Sequence, residues 1–346
     1  RQNDGIVRCA IIGLGMGRIH FRGYKEAEGA EVVGVADLQE ERLEPYREEL
    51  GAAACFTDYR NMLETLKPDL VSVALPNKLH EKVTITCLEA GADVLCEKPM
   101  AMQVAEAVRM RDAAKRLGRQ LGINLNQLYS EEAEGLKAWI EAGSLGEIYH
   151  GFTSWTRQNG IPGFGGWFGQ KALSGGGPLI DLGVHRLSLA LWLMGDPKPE
   201  RVVGYTHHHF GMARAKAENK PFDVEDFAAG SIRFQNGASL FLEASWDGFQ
   251  ENRDEMRLRL QGSKGALEKE DDLAFYGRKG DIFYKSRLNL PGSRIKSSLD
   301  GMVQSLRGGV PFRGTPERGI AIQEILDALY LSAESGREIR VDSLAH

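Results

Sequence analysis

Two stretches carry side chains whose types and spacing suit acid–base work on a small molecule. The first is Val94-Leu95-Cys96-Glu97-Lys98-Pro99-Met100-Ala101, an apolar strand pattern that ends in a glutamate, a lysine and a proline. Pro99 holds Lys98 to extended backbone and removes one donor, and its X–Pro bond is open to cis or trans. The second runs from Ser174-Gly175-Gly176-Gly177-Pro178 through Asp181 and His185 to Trp192. Pro178 suits the first turn of a helix, and on a helix Asp181 and His185, four apart, share one face. Ser188 continues that polar stripe among Leu179, Leu182, Leu189 and Leu193. Oxidising an alcohol needs a hydride acceptor and a base for the hydroxyl proton. Histidine titrates near neutral pH and can be that base. Asp181 could orient it or hold a neighbouring hydroxyl, and Lys98 as a cation would stabilise an alkoxide-like oxygen. Each motif alone has a plainer explanation. A strand-end salt bridge accounts for Glu97-Lys98 better than chemistry does, and a core His–Asp pair accounts for Asp181/His185 equally well.

A third motif supplies a place for the hydride acceptor. Ile11-Ile12-Gly13-Leu14-Gly15-Met16-Gly17-Arg18 follows an apolar strand pattern and opens a helical one. Gly13 permits a tight turn, and Gly15 lets backbone approach a pyrophosphate at the helix N-terminus. The third glycine of the dinucleotide fingerprint is displaced: Gly17 comes one residue early and Arg18 stands in its place. Asp37 ends the next strand, 24 residues after Gly13, where a carboxylate accepts both adenosine ribose hydroxyls and repels a 2′-phosphate. NAD is therefore the expected cofactor. Arg42 and Arg18 are near enough in sequence to offer a phosphate charge, which keeps NADP open.

The elements that must carry these residues are legible as rhythm. Strand patterns at 6–12, 31–36, 70–75, 93–96 and 120–124 alternate with helical patterns at 42–50, 59–66, 79–90 and 104–117. That alternation means βαβ units around a parallel sheet buried on both faces. Ligands sit at the carboxyl ends of such strands, so Pro76-Asn77 and Lys98 fall where a nicotinamide would lie. After residue 124 the rhythm changes. A helix at 131–142, a strand at 147–156 and a glycine- and aromatic-rich loop at 158–177 lead into the helix 178–194. Strands follow at 201–207, 227–235, 238–245, 257–261, 266–269 and 273–276, joined by hairpin turns such as Asn236-Gly237. A helix at 319–335 closes the chain. The reading is α/β: an N-terminal Rossmann domain, 1–124, and a C-terminal α/β domain, 125–346, with a largely antiparallel open sheet for substrate binding and oligomerisation.

With 346 residues the chain is too long for one ordinary core, and its net charge of −5 gives no reason to expect a nucleic-acid or membrane partner. The opening Arg1-Gln2-Asn3-Asp4-Gly5 has no starting Met, is polar and carries no signal-peptide core. Cys9, Cys55, Cys87 and Cys96 show no metal spacing. They read as reduced core residues rather than disulfide partners, which suits the cytoplasm.

Taken together, the glycine-rich turn, Pro76-Asn77 with His80, Glu97-Lys98-Pro99, the Gly-Gly-Gly…Asp-x-Gly-x-His block and Gly314-Thr315-Pro316-Glu317 resemble the Gfo/Idh/MocA oxidoreductases over nearly the whole chain. The resemblance implies a Rossmann domain plus an open-sheet α/β domain whose outer face makes a homodimer or homotetramer contact. It implies Lys98 as the catalytic lysine and Asp181 and His185 as the active-site pair, with His185 the favoured proton acceptor and Lys98 able to share the role. Gly13, Gly15, Met16, Gly17, Arg18, Asp37, Pro76, Asn77, His80, Glu97 and Lys98 are the expected cofactor-binding positions. Ser188 stands where many relatives have a further aspartate, and Asn126 where some carry arginine.

For the substrate, the loop beginning at Trp155 offers Trp155, Phe164, Trp167 and Phe168 to sugar-ring faces and Arg157 and Lys171 to hydroxyls or an acidic group. For each of these residues, packing on the core is an equal reading. His207-His208-His209 alternate along a strand end, cannot all bind one metal, and read as structural. The expected activity is oxidation of a ring secondary alcohol of a sugar, glycoside or cyclitol to a ketone. One alternative is an NAD-retaining redox glycoside hydrolase, for which His207–His209 or Tyr129 would have to supply an extra acid or base. Another is a non-catalytic NAD and sugar sensor, against which the intact Lys98, Asp181 and His185 speak.

Overall fold

The computed structural model describes residues 5–270 and 272–344; the opening Arg1–Asp4 lies outside them. The chain forms two compact units. The first comprises Arg1–Tyr129 with Ile295–Gly319, the second Ser130–Arg294 with Ile320–His346.

In the first unit, β1 (Val7–Ile12), β2 (Ala30–Ala36), β3 (Cys55–Phe56), β4 (Leu70–Val73), β5 (Asp93–Cys96) and β6 (Leu121–Ile123) make one parallel sheet in the order β3-β2-β1-β4-β5-β6. This is the doubly wound order that puts a ligand site where the strand order reverses, at the carboxyl ends of β1 and β4. β4 and β5 are buried along their whole length, as strands covered on both faces must be. β3, only two residues long, leaves no signal in the sequence pattern.

The segment Ile295–Gly319 joins this unit for identifiable reasons. Ile123 donates its N–H to the Gly314 carbonyl, 2.7 Å. Phe312 fills the space above Gly122, where a Cβ would stand 2.7 Å from its ring, and stacks on Tyr129 at 5.6 Å. The helix Ser298–Leu306, capped by the Ser297 side chain, sets Leu299 against Gly23. Nothing in the sequence rhythm announces this return.

The second unit holds a nine-stranded sheet: β7 (Ile148–Arg157), β8 (Pro199–His207), β9 (Phe227–Phe234), β10 (Ser239–Ser245), β11 (Asp254–Gly262), β12 (Gly265–Lys269), β13 (Leu273–Lys279), β14 (Ile282–Arg287) and β15 (Ile339–Arg340). Their order is β14-β13-β12-β11-β7-β10-β9-β8-β15. All neighbours are antiparallel except β7 and β10. One face is packed: Gly204 and Gly230 let the closing helix approach until a Cβ on either would collide with Leu329. On the other, Tyr205, Phe241 and Tyr276 stand exposed. No helix among the described residues is long and apolar enough to cross a membrane.

Candidate functional site

The glycine turn after β1 is built as a dinucleotide cradle requires. Gly13 has φ +89°, and a Cβ on it would stand 2.4 Å from the Ala74 carbonyl oxygen. Gly17 packs its helix against β1, with a Cβ there 2.7 Å from Ile11. The early glycine thus does the helix–strand packing of the fingerprint's third position, and Arg18 stands exposed beside it. Around Gly15 the space is open: the nearest group is the Arg42 guanidinium at 3.9 Å. The helix Gly17–Glu26 begins at Met16 with no side-chain cap and no acidic residue in its first turn, which leaves its amides and dipole to an anion. Asp37 accepts the N–H of Leu14 at 2.7 Å and of Gln39 at 2.9 Å, and pairs with Arg42 at 3.3 Å. Turn, helix start and the Asp37 carboxylate are thereby fixed to one another. These residues fit an adenine dinucleotide.

Lys98 follows the end of β5, and its bond to Pro99 is cis. Behind it lies a polar network buried in an otherwise apolar layer. Glu97 Oε1 accepts from His20 Nε2 and from Asn124 Nδ2, both at 2.7 Å, and Oε2 accepts the Lys98 backbone N–H at 3.2 Å. Beyond His20, Nδ1 meets Ser72 Oγ at 2.9 Å and Ser72 meets Tyr24 Oη at 2.7 Å; beyond Asn124, Oδ1 accepts from Ser298. A carboxylate can only accept, so His20 Nε2 donates to Glu97. Glu97 is therefore a buried anchor for the backbone that presents Lys98. His80, also buried, holds the same loop ends from another side, between the carbonyls of Leu75 and Pro99. Burial pushes its ring below the ordinary histidine range, against those two carbonyls. Asn77 is buried in the turn after Pro76.

Burial alone would raise the Glu97 carboxyl, but His20, Lys98 and Asn124 outweigh it and bring it down to about 2 from 4.5. A depressed folded-state pKa gives stability that is full above the unfolded value and lost as pH falls through the folded one. The window is therefore pH 4.5 down to about 2, and the loss is about 3 kcal/mol. Glu97→Gln cannot titrate. Urea unfolding across that window should show the wild type losing about 3 kcal/mol more than the variant; parallel curves would mean the carboxylate is not held as described.

In the second unit, the helix bearing Asp181 and His185 is buried almost throughout. From Gly176 to Leu193 every residue is buried except Asp181 and His185. Its first turn, Leu179–Gly183, is a π-turn, closed by the Val184 N–H on the Leu179 carbonyl; Val184–Leu193 continues as α-helix. Such wide turns are common at functional positions. Trp246, fully buried, donates its indole N–H to Asp181 Oδ2 at 2.9 Å, and the Trp155 ring lies 5.8 Å from that of His185. Ser188 is buried and donates to the His185 carbonyl at 2.8 Å, so it serves its own helix.

The other positions singled out in the sequence divide. Arg157 pairs with Asp254 at 3.2 Å and lies over the Trp155 ring, while Lys171 pairs with Glu334 at 2.7 Å. Trp167 stacks on Phe168 at 3.9 Å, and Phe164 stacks on Phe222 beneath the Arg214 guanidinium. Asn126 is exposed. Tyr129 is buried, its hydroxyl accepting the Arg313 N–H at 2.7 Å, and burial pushes its pKa up. His207, His208 and His209 are exposed, and no group of histidine, cysteine or acid residues among the described residues could hold a metal. All four cysteines are free. His20, Asn124, Trp246 and Glu225 escaped the sequence reading. Each acts through a partner tens of residues away, which spacing along the chain cannot show.

Comparison with known proteins places these features in a family. Residues 7–125 match the GFO/IDH/MocA oxidoreductase family with its NAD-binding Rossmann fold, and residues 134–268 match the GFO/IDH/MocA C-terminal domain. The D-glucoside 3-dehydrogenase of Escherichia coli K12 is 31% identical over 343 residues, covering 97% of each chain. The myo-inositol 2-dehydrogenase of Thermotoga maritima is 27% identical over 263 residues, 75% of this chain and 74% of that one. The solved structure of a levoglucosan dehydrogenase in complex with NADH superposes with a TM-score of 0.83 at 22% identity, over 97% of this chain and 99% of that one.

Proposed function

The chain belongs to the GFO/IDH/MocA oxidoreductases, and from that premise we propose that it oxidises a ring secondary alcohol of a sugar, glycoside or cyclitol to a ketone. Sugar dehydrogenase is its general class. The observation that carries the reading is the burial pattern of 176–193, where the two residues left open are an aspartate and a histidine one turn apart. The glycine turn at 13–18 and Asp37 would hold NAD, which when bound supplies the hydride acceptor. On this reading His185 takes the hydroxyl proton, Asp181 holds it or a neighbouring hydroxyl, and Lys98 stabilises the developing oxyanion. Substrate binding is assigned to the second unit, with Asn126 from the first. Arg157 and Lys171 reach a substrate by leaving their ion pairs with Asp254 and Glu334, and Trp167 and Asn126 contribute ring and hydroxyl contacts. The homo-oligomer contact is placed on the sheet face bearing Tyr205, Phe241 and Tyr276, and the four free thiols favour the cytoplasm.

The first substrate to test is a simple D-glucoside, since a relative matched along 97% of both chains acts on one by name. Following NADH, ketone and aglycone together in heavy water distinguishes the alternatives. A dehydrogenase forms NADH one-for-one with ketone. Aglycone release without net NADH, with deuterium incorporated beside the oxidised carbon, would replace this reading by the redox glycoside hydrolase. Binding of NAD and sugar with no turnover would replace it by the sensor.

A further inference from the structure

Two of the three glycines that precede the Asp181/His185 helix, Gly176 and Gly177, make room for something. A Cβ on Gly176 would stand 1.9 Å from Tyr330 Oη, and one on Gly177 would stand 2.1 Å from the Glu225 carbonyl oxygen. What fills that room is the Tyr330 ring and the Glu225 backbone, with the Glu225 carboxyl carbon 3.1 Å from the Cβ position of Gly177. Glu225, 2% exposed, accepts the Gly177 N–H on Oε2 at 2.9 Å, and on Oε1 it accepts the Leu179 N–H at 3.2 Å and the Tyr330 hydroxyl at 2.8 Å. Burial pushes the Glu225 carboxyl up, and Tyr330 and the two amides pull it back.

The peptide groups held in this way are the ones that set the turn. The Gly177 carbonyl accepts the Asp181 N–H at 3.2 Å, and the Leu179 carbonyl accepts the Val184 N–H across the π-turn. A fixed Gly177 and Leu179 therefore fix the residues that precede and follow Asp181, and His185 comes next. The other side is tied as well. Trp246 bonds the Asp181 carboxylate through its indole and, through its backbone N–H, the Asp226 carbonyl at 3.0 Å. Asp226, adjacent to Glu225, spends its own carboxylate on the N–H groups of His209, Phe210 and Gly211 at the start of the helix Phe210–Glu218. The result is a closed ring of hydrogen bonds around Asp181, running from Glu225 through the turn to Asp181, Trp246 and Asp226. A helix that needed only a cap would take one from a neighbouring Ser, Thr, Asp or Asn. Here the cap comes from 48 residues away and is locked by a second side chain 105 residues further on.

We propose that Glu225, locked by Tyr330, is a positioning residue for the reaction: it sets the wide turn that places Asp181 and His185. This rests on reading that pair as the acid–base residues. Glu225→Gln keeps the shape but must turn an NH₂ toward the Gly177 or the Leu179 N–H. Tyr330→Phe removes one donor and leaves both amide bonds.

The experiment has two arms. In the first, kcat, KM for a D-glucoside and NAD affinity by fluorescence quenching are measured for both variants. A reacting group displaced by about 1 Å loses on the order of 10²-fold. Glu225→Gln should therefore lower kcat by roughly that factor with NAD affinity within twofold, and Tyr330→Phe should lower it less. In the second arm the His185 ring is titrated by NMR in histidine-labelled protein, assigned with His185→Asn. The His185 midpoint should move measurably in Glu225→Gln while the histidine signals of the first unit are unchanged. A folded Glu225→Gln with kcat within twofold and an unmoved His185 titration overturns the proposal. Loss of melting temperature with both readings unchanged per folded molecule makes Glu225 a structural cap only, and also overturns it. Should the wild type oxidise no sugar, the proposed function fails, and the NMR arm decides the positioning role alone. Should Glu225→Gln not fold, Tyr330→Phe decides by the same two readings.

Discussion

Lys98→Met is expected to lose roughly 10²–10⁴ in turnover while keeping its fold and its affinity for NAD. Methionine retains the apolar stem of lysine and discards the charge. The groups that fix residue 98 in place do not depend on that charge: the backbone N–H sits on Glu97 Oε2, and Glu97 is anchored by His20 and Asn124. The loop should therefore survive, and the loss should fall on kcat rather than on binding of the cofactor. A secondary effect has a fixed sign. Lys98 is among the groups that hold the Glu97 carboxyl down, after His20, so its removal should let that carboxyl rise and move acid unfolding to slightly higher pH. The measurements are steady-state kinetics with a D-glucoside, NAD titration by fluorescence and a pH series of melts. Turnover near that of the wild type would return Lys98 to an ordinary strand-end ion pair with Glu97.

What the sequence could say about this molecule follows from how far each signal reaches along the chain. Strand and helix periodicity is local, so β1, β2, β4, β5 and β6 and the helices between them were legible, as was the glycine turn. The displaced Gly17 looked like a departure from the fingerprint; the structure shows it packed against Ile11, doing that job one residue early. The helix through Asp181 and His185 was legible too, but its wide first turn was not, because residues 179–183 carry no distinctive composition. Elements whose side chains face water on every side escaped. β14 is exposed along its whole length and has no alternation to detect. The parallel β7–β10 pair also escaped, since the pairing of strands distant in sequence leaves no mark on either strand alone.

The side chains show the same division. Glu97 and Lys98 are adjacent and invited a salt bridge. Glu97 turns its carboxylate to His20, 77 residues earlier, and also takes the backbone N–H of Lys98. The aromatic loop was open to two readings, and Phe164 takes the plainer one, stacked on Phe222 within its own unit. Arg157 and Lys171 looked available to a substrate and stand in ion pairs. Both pairs are partly or largely solvent-exposed, where such contacts contribute about 0–1 kcal/mol, so exchanging them for a ligand costs little.

His185→Asn should be nearly as damaging as the lysine change, with a pH signature that the lysine change lacks. In the wild type a histidine acting as base is disabled when protonated, so kcat/KM should fall on the acid side of its titration. Asparagine fills much the same space and cannot titrate, so the residual activity, lower by roughly 10²–10⁴, should lose that acidic limb. The helix itself should tolerate the change. His185 is one of the two residues between Gly176 and Leu193 that are not buried, and the contacts that anchor its turn come from the Leu179 carbonyl, the Trp246 indole and the Ser188 hydroxyl, which bonds the residue 185 backbone. A melting temperature close to that of the wild type is therefore part of the expectation. The decisive measurement is the kcat/KM profile from about pH 5 to pH 9 for both proteins, at saturating NAD. An acidic limb that persists unchanged in the variant assigns the proton to another group. With Lys98→Met in hand, that result would leave Lys98 as the base and His185 as a partner of Asp181 in a packed helix.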